Sequence, residues 1–286
     1  MTSAHAGSTG DDAVEAARRV LSAEAHTERV TTATPAELDA ALLGADGRQV
    51  VLAGGDGTLH LAVARLRALG RLDLPLALVP LGTGNDLARA LGLPLDPAEA
   101  AHVVTAFGPR PLDLLVEDGG DVVVNAVHLG VGAAAAEAAG RWKPRLGPLA
   151  YPVGAVAAGV RSAGWRLQVV VDGQVVADGH RRALMVAVGN GRAVGGGAPL
   201  MPTASPDDGL LDVLVSYATG PFARVRFGAA LTAGTHLRDR DVRWARGRRV
   251  TVAGEPVGVD ADGELGGEAR SRGWTVEPGA WSLVRP

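Results

Sequence analysis

Short apolar runs and amphipathic stretches alternate through the first 110 residues. Gln49-Val50-Val51-Leu52-Ala53 is an unbroken apolar run of the kind that fills a buried parallel strand. A glycine loop follows it, and then a helical pattern to about Leu69. The same unit recurs: a strand over Leu76–Pro80, a loop over Leu81–Asn85, a helix over Asp86–Leu91. Upstream, Asp11 and Asp12 open a helix to about residue 23, and acidic groups suit that end of a helix. Glu28–Thr32 reads as a short strand. Thr34 caps a helix over Pro35–Leu43 that Gly44 stops. Strand, loop and helix in alternation predict a parallel α/β sheet.

The period changes near 105–112, around Gly108-Pro109-Arg110-Pro111. Leu112–Glu117 and Asp121–Val127 flank Asp118-Gly119-Gly120, and Arg166–Val171 and Gln174–Ala177 flank Asp172-Gly173. Both are hairpin signals. Further strands are expected over Ala183–Val188, Leu210–Val215, Arg248–Ala253 and Ser282–Arg285. Helices are expected near 133–140, 148–162 and 221–233. The fold class expected is therefore an α/β domain over residues 1–110 followed by a β-rich antiparallel sandwich over 111–286. The last strand is expected to return to the first domain.

Composition removes several functions. There is no Cys in the 286 residues, so thiol nucleophiles, disulfides and Cys-ligated metals are excluded. The net charge of −3 gives no basic field for nucleic acid, and 3% aromatic content gives no base-stacking platform. The apolar stretches Val122–Gly140 and Gly147–Val160 are too polar or too short to span a bilayer. Residues 1–10 lack the pattern of a signal peptide. The chain is expected to be cytoplasmic, with room for peripheral contact at the inner membrane face. The pattern leaves the oligomeric state undetermined.

Four segments carry candidate chemistry. Gly54-Gly55-Asp56-Gly57-Thr58 joins a buried strand to a helix, where glycines let backbone approach a phosphate and the helix end adds positive potential. No Lys follows, so it is not a Walker A loop. Asp56 suits a metal, a water or a hydroxyl better than a phosphate; a turn with an Asp cap is the structural alternative. Gly82-Thr83-Gly84-Asn85-Asp86 ends the next strand, so both loops open at the carboxyl edge of the sheet, where α/β proteins bind ligands. Asp208, within Ser205-Pro206-Asp207-Asp208-Gly209-Leu210, can offer a hard oxygen ligand, or the segment is a solvated turn. Asp260-Ala261-Asp262-Gly263-Glu264 can supply a proton acceptor, or it is a hairpin turn. None of the seven His pairs at metal-ligand spacing, and the basic stretch 238–249 with Trp244 reads as a solvated strand edge.

Taken in order, these motifs resemble the diacylglycerol kinase catalytic family, which includes bacterial lipid kinases, sphingosine kinases and ceramide kinases. The resemblance rests on Gly54–Thr58, Pro80–Arg89, Gly189-Asn190-Gly191 with Gly195-Gly196-Gly197, Asp207–Asp212 and Asp262-Gly263-Glu264, over most of residues 25–285. It implies a nucleotide-binding α/β domain and a β-rich domain, with the active site between them. It implies that Thr32, Gly54, Gly55, Asp56, Gly57, Thr58, Leu59, His60, Thr83 and Asn85 hold ATP. Asp208, with the carbonyls of Ser205 and Leu210, would hold Mg²⁺. Glu264 would accept the proton of a lipid hydroxyl such as that of diacylglycerol, with Asp56 organising nucleotide and metal. An NAD kinase-like enzyme with a soluble substrate and a non-enzymatic nucleotide- or lipid-binding homologue are the alternatives. Two departures from the family stand out: the apolar first strand is missing, with His5–Thr9 a degenerate version of the phosphate loop that follows it in relatives, and Leu129-Gly130-Val131-Gly132 lacks an acidic residue common in relatives.

Overall fold

The computed structural model describes residues 1–3, 8–45, 47–131, 133 and 162–286. The helices expected near 133–140 and 148–162, and most of the His5–Thr9 remnant, lie outside these residues. The chain divides into two compact units, Met1–Asp113 with Gly279–Pro286, and Leu114–Pro278.

In unit 1 the parallel strands run in the order β2 (Thr31–Thr32), β1 (Thr2–Ser3), β3 (Val50–Gly54), β4 (Leu76–Pro80). The end of β14 (Glu264–Val284) joins them through Leu283, paired in parallel with Leu76. Period-2 alternation sends β3 side chains to both faces. Val51 and Ala53 pack with residues of α1 (Ser8–Glu24) and α5 (Pro97–Ala106). The opposite face meets α2 (Pro35–Leu43) and α3 (Asp56–Ala68), which Asp39 and Arg65 tie together by a 2.6 Å bond from Arg65 Nε. Thr34 and Glu37 form a reciprocal N-terminal cap on α2. Thr34 Oγ1 accepts from Glu37 N at 3.2 Å, and Glu37 Oε2 accepts from Ala33 N at 2.7 Å. A fifth helix, α4 (Asp86–Ala90), follows β4. The Pro97–Ala106 helix escapes the sequence reading, although Asp96 caps it by accepting from Ala98 N and Glu99 N.

The expectation of a missing first strand is corrected by the structure. Thr2 pairs with Thr31 and with Ala53, so β1 occupies the place between β2 and β3. Its neighbours' backbone groups are met: Thr2 N donates to Val30 O at 2.9 Å, and Ala53 N donates to Met1 O at 2.9 Å. Two residues are too few to show a period, which is why the strand was invisible in the sequence.

Unit 2 is antiparallel. Its strands run β12 (Val242–Gly247), β11 (Leu211–Ser216), β10 (Met185–Gly189), β7 (Ala126–Gly130), β13 (Arg249–Ala261), β14. The hairpin of β8 (Trp165–Val171) and β9 (Gln174–Ala183) pairs with β13. Ahead of them, β5 (Pro109–Glu117) pairs with β6 (Val122–Val123). Alternating Val and Leu side chains from these strands fill a core with Trp274 fully buried in it. The second face of β7, β10 and β11 is covered by apolar side chains of the 194–204 loops and of α6 (Pro221–Thr232). Asp172 (φ 47) with Gly173, and Asp262 (φ 51) with Gly263, are left-handed pairs closing two-residue hairpins, the conformation that Asp-Gly favours. No helix among the described residues is long and apolar enough to cross a membrane.

Candidate active site

In unit 1 the two glycine loops interlock. A Cβ on Gly55 would lie 2.8 Å from the Gly82 Cα, so the loop backbones touch only because both residues lack one. Gly54 is likewise closed to side chains, because a Cβ there would meet Thr58 Oγ1 at 2.4 Å. Asn85 holds the second loop with φ at 52°: its Oδ1 accepts from Gly82 N at 3.0 Å, and its Nδ2 donates to Gly82 O at 2.8 Å. Asp56 joins the loops. Its Oδ2 accepts from Asp86 N at 3.0 Å, and its Oδ1 accepts from Leu87 N at 3.2 Å. It therefore caps α4 from across the sheet edge, while Asn85 at the N-cap position makes no side-chain cap bond.

The ATP residues expected from the resemblance divide by position. Thr32, Gly57 and Thr58 line one cleft of about 260 Å³ with Thr34, Leu38 and Leu52. Thr83 and His60 are not among its lining: Thr83 is exposed on the second loop, and His60 is half-buried on α3. Leu59 is placed differently. Its side chain is fully buried in the core and its N–H donates to Gly55 O at 3.1 Å, so its place in the motif serves packing.

In unit 2, Glu264 opens β14 on the solvent side of the Asp262-Gly263 turn, paired with Ala261. Asp262 anchors that turn by accepting from Val124 N (2.7 Å), Asn125 N (2.9 Å) and Ala126 N (2.9 Å). On the other face of the same hairpin, Asp260 stands opposite His128 of β7. Both side chains are buried, and Asp260 Oδ1 and His128 Nδ1 have no hydrogen-bond partner. Burial, and then the Asp262 charge, push the Asp260 carboxyl up to about 7. Burial lowers His128 to about 4 against the pull of Asp262. The sequence reading counted His128 as structural or surface, and it separated Glu264 from Asp260 only through the family resemblance. Strand alternation is the signal that separates them.

The segment expected to hold Mg²⁺ is engaged internally. Asp208 Oδ1 accepts from Leu210 N at 3.0 Å, and its Oδ2 takes the Arg246 guanidinium. Ser205 Oγ donates to Asp207 Oδ1 at 2.6 Å. The oxygens are of the hard type that Mg²⁺ prefers. Yet both carboxylate oxygens of Asp208 already have donors, one of them cationic. Among the described residues no three His, Asp or Glu side chains gather as a metal site. As arranged, the Asp208 carboxylate is committed to the Leu210 N–H and the Arg246 guanidinium and is not presented as an open ligand for a divalent ion.

Comparison with known proteins places this geometry in a lineage. The diacylglycerol kinase catalytic domain family matches residues 3–117, and the YegS C-terminal NAD kinase beta sandwich-like domain family matches residues 125–285. A probable YegS-like lipid kinase of Pseudomonas aeruginosa is 35% identical over 85% of this chain and 78% of its own length. A diacylglycerol kinase of Mycobacterium tuberculosis is 29% identical over 97% of this chain and 86% of its own. The solved structure of a diacylglycerol kinase from Bacillus anthracis superposes with a TM-score of 0.75 at 23% identity, over all of this chain and 95% of that one. The chain belongs to the diacylglycerol kinase family, in its YegS-like branch, and with it to the ATP-dependent phosphotransferases.

Proposed function

We propose that this chain is a lipid kinase that moves the γ-phosphoryl group of ATP to a hydroxyl of a lipid such as diacylglycerol. The observation that carries the reading is the pair of interlocked glycine loops. Their side-chain-free backbone and the N-terminal end of α3 suit a polyphosphate, and Thr32, Gly57 and Thr58 line the adjoining cleft. Thr83, exposed on the second loop, is a further phosphate or ribose donor.

In the reaction the acceptor hydroxyl oxygen bonds to the γ-phosphorus as the bond to the β,γ-bridging oxygen breaks, and ADP leaves. The hydroxyl proton goes to the Glu264 carboxylate, which is exposed and open to a substrate. Mg²⁺ carried on the ATP phosphates supplies positive charge to the transferring group. No step is assigned to an ion at Asp208, whose oxygens are engaged by Leu210 and Arg246. Asp56 keeps the two loops in register rather than touching the reacting atoms. The acceptor lipid lies in a bilayer, so the enzyme works at the membrane surface.

The test is transfer of labelled phosphate from ATP to a panel of lipids in mixed micelles, with NAD included as a soluble acceptor. Wild type yields a labelled lipid. Glu264→Ala lowers the rate by about 10²–10⁴-fold, the usual contribution of a general base, with an unchanged melting temperature. Label on NAD alone, or on no acceptor with folded protein, overturns the reading. An equal rate in Glu264→Ala overturns the assignment of the base.

A further inference from the structure

Arg246 joins two carboxylates of different character. It stands directly opposite Asp212, in register between β12 and β11. The Asp212 side chain is wholly buried and is met from three sides: Thr203 Oγ1 donates to Oδ1 at 2.7 Å, Trp244 Nε1 to Oδ1 at 2.9 Å, and Arg246 Nε to Oδ2 at 3.1 Å. From that anchor the planar guanidinium extends Nη2 to Asp208 Oδ2 in the loop before β11. Burial by itself lowers the Arg246 pKa, and the hydrogen bonds and charges of Asp208 and Asp212 together outweigh it and raise it.

This geometry is difficult to reconcile with an exchangeable metal at Asp208. Mg²⁺ needs near-octahedral oxygen at about 2.0–2.1 Å, and here a fixed guanidinium already sets a positive charge against the same carboxylate. A guanidinium is planar and rigid, so the hold of Nε on buried Asp212 fixes the direction of Nη2, which points at Asp208. Withdrawing the whole group would strip a buried carboxylate of a charged partner, a costly change. We propose that Arg246 is the built-in cation of this loop: its guanidinium closes residues 205–210 onto β11 in place of a divalent ion. The loop is therefore ordered without metal, and Asp208 binds a divalent cation only once Arg246 is removed.

The experiment uses the full chain and two readouts independent of kinase activity, so its outcome is separate from that of the lipid-kinase reading. Melting is followed in Mg²⁺, in EDTA and in NaCl of matched ionic strength. Tb³⁺ luminescence is excited through tryptophan, and Trp244 lies on the same carboxylate pair. Wild type is expected to melt alike in all three buffers and to give no saturable Tb³⁺ signal that depends on Asp208. Arg246→Met keeps the aliphatic stem and removes the charge. It should gain saturable Tb³⁺ binding, at least ~10-fold tighter than wild type, that Mg²⁺ displaces and that adding Asp208→Asn abolishes. A folded Arg246→Met without that gain overturns the proposal. If Arg246→Met does not fold, Asp208→Asn alone decides. Equal destabilisation in Mg²⁺ and in EDTA supports the proposal, and Mg²⁺ stabilisation of wild type that Asp208→Asn removes overturns it.

Discussion

Single residues in this chain carry two kinds of charge problem. Asp260 and His128 are the unsolved kind, buried opposite each other with one unpartnered atom apiece. Their pH effects have opposite signs. Asp260 is raised from 3.8 to about 7, so the folded state holds its proton more tightly, and its contribution is lost as pH rises through about 7. His128 is lowered from 6.5 to about 4, so the unfolded state takes the proton first, and stability is lost as pH falls from about 6.5 toward 4. Below pH 6.5 the two offset each other, and above it Asp260 acts alone. Wild type is therefore expected to lose stability between pH 6 and 8. Asp260→Asn should lack that loss, which is about 1 kcal/mol, while the gap between the two proteins opens by about 4 kcal/mol over the whole range from pH 4 to 8. Urea melts at several pH values check this, and parallel profiles for the two proteins would refute it. Asp56 is the solved kind, with both oxygens engaged by α4. Asp56→Ala removes a cap and should cost about 1–2 kcal/mol and raise the KM for ATP, because the loops lose their tie. Asp56→Asn keeps one acceptor and should fall between. A full loss of activity in Asp56→Asn at unchanged stability would instead give the charge itself a part in the chemistry.

Among elements, those with strong periods were legible. Pro35–Leu43, Leu76–Pro80 and Pro221–Thr232 follow from cap, apolar run or helical spacing, and the Asp-Gly turns at 172–173 and 262–263 follow from backbone preference. What escaped has a physical reason in each case. Thr2–Ser3 is too short to show a period. Pro97–Ala106 is Ala-rich and its period is faint. Val242–Gly247 is the edge strand the basic stretch suggests, paired with β11 alone, but the inward turn of Arg246 to a buried carboxylate leaves no mark in the pattern. The candidate site was legible as motifs, with Glu264 singled out by the resemblance and an Asp cap left as one reading of Asp56; that Asp56 caps α4 across the two loops and that Asp208 partners Arg246 needed three-dimensional contacts. The tightest element-level constraint is the meeting of Gly55 and Gly82. Gly55→Ala puts a methyl 2.8 Å from the Gly82 Cα, where only backbone can give way. It should lower ATP affinity and stability together, by roughly 1–3 kcal/mol in a urea melt. An Ala variant with wild-type KM would show the loops free to separate.

Over the whole molecule, the return of residues 279–286 to unit 1 matters most. Trp281 is buried there and donates from Nε1 to Asp113 O at 3.1 Å, Gly279 N donates to Asp113 Oδ1 at 2.8 Å, and Leu283 pairs with Leu76. Trp281→Ala should destabilise unit 1 by about 3–5 kcal/mol. Hydrogen exchange would localise the loss to amides of Val50–Gly54 and Leu76–Pro80; a uniform loss across both units would count against two separable cooperative units.

Closing unit 1 with the chain's final residues also sets an order of events during synthesis. The nucleotide-binding unit is begun first and finished last, since the 279–286 segment emerges only after residues 114–278 have all been made. At ordinary elongation rates of about 5–20 residues per second, that wait is roughly 10–30 s. For that interval the β4 edge of an incomplete sheet is without its final partner. A chain cut after residue 278 would carry all the residues of unit 2 and an unfinished unit 1.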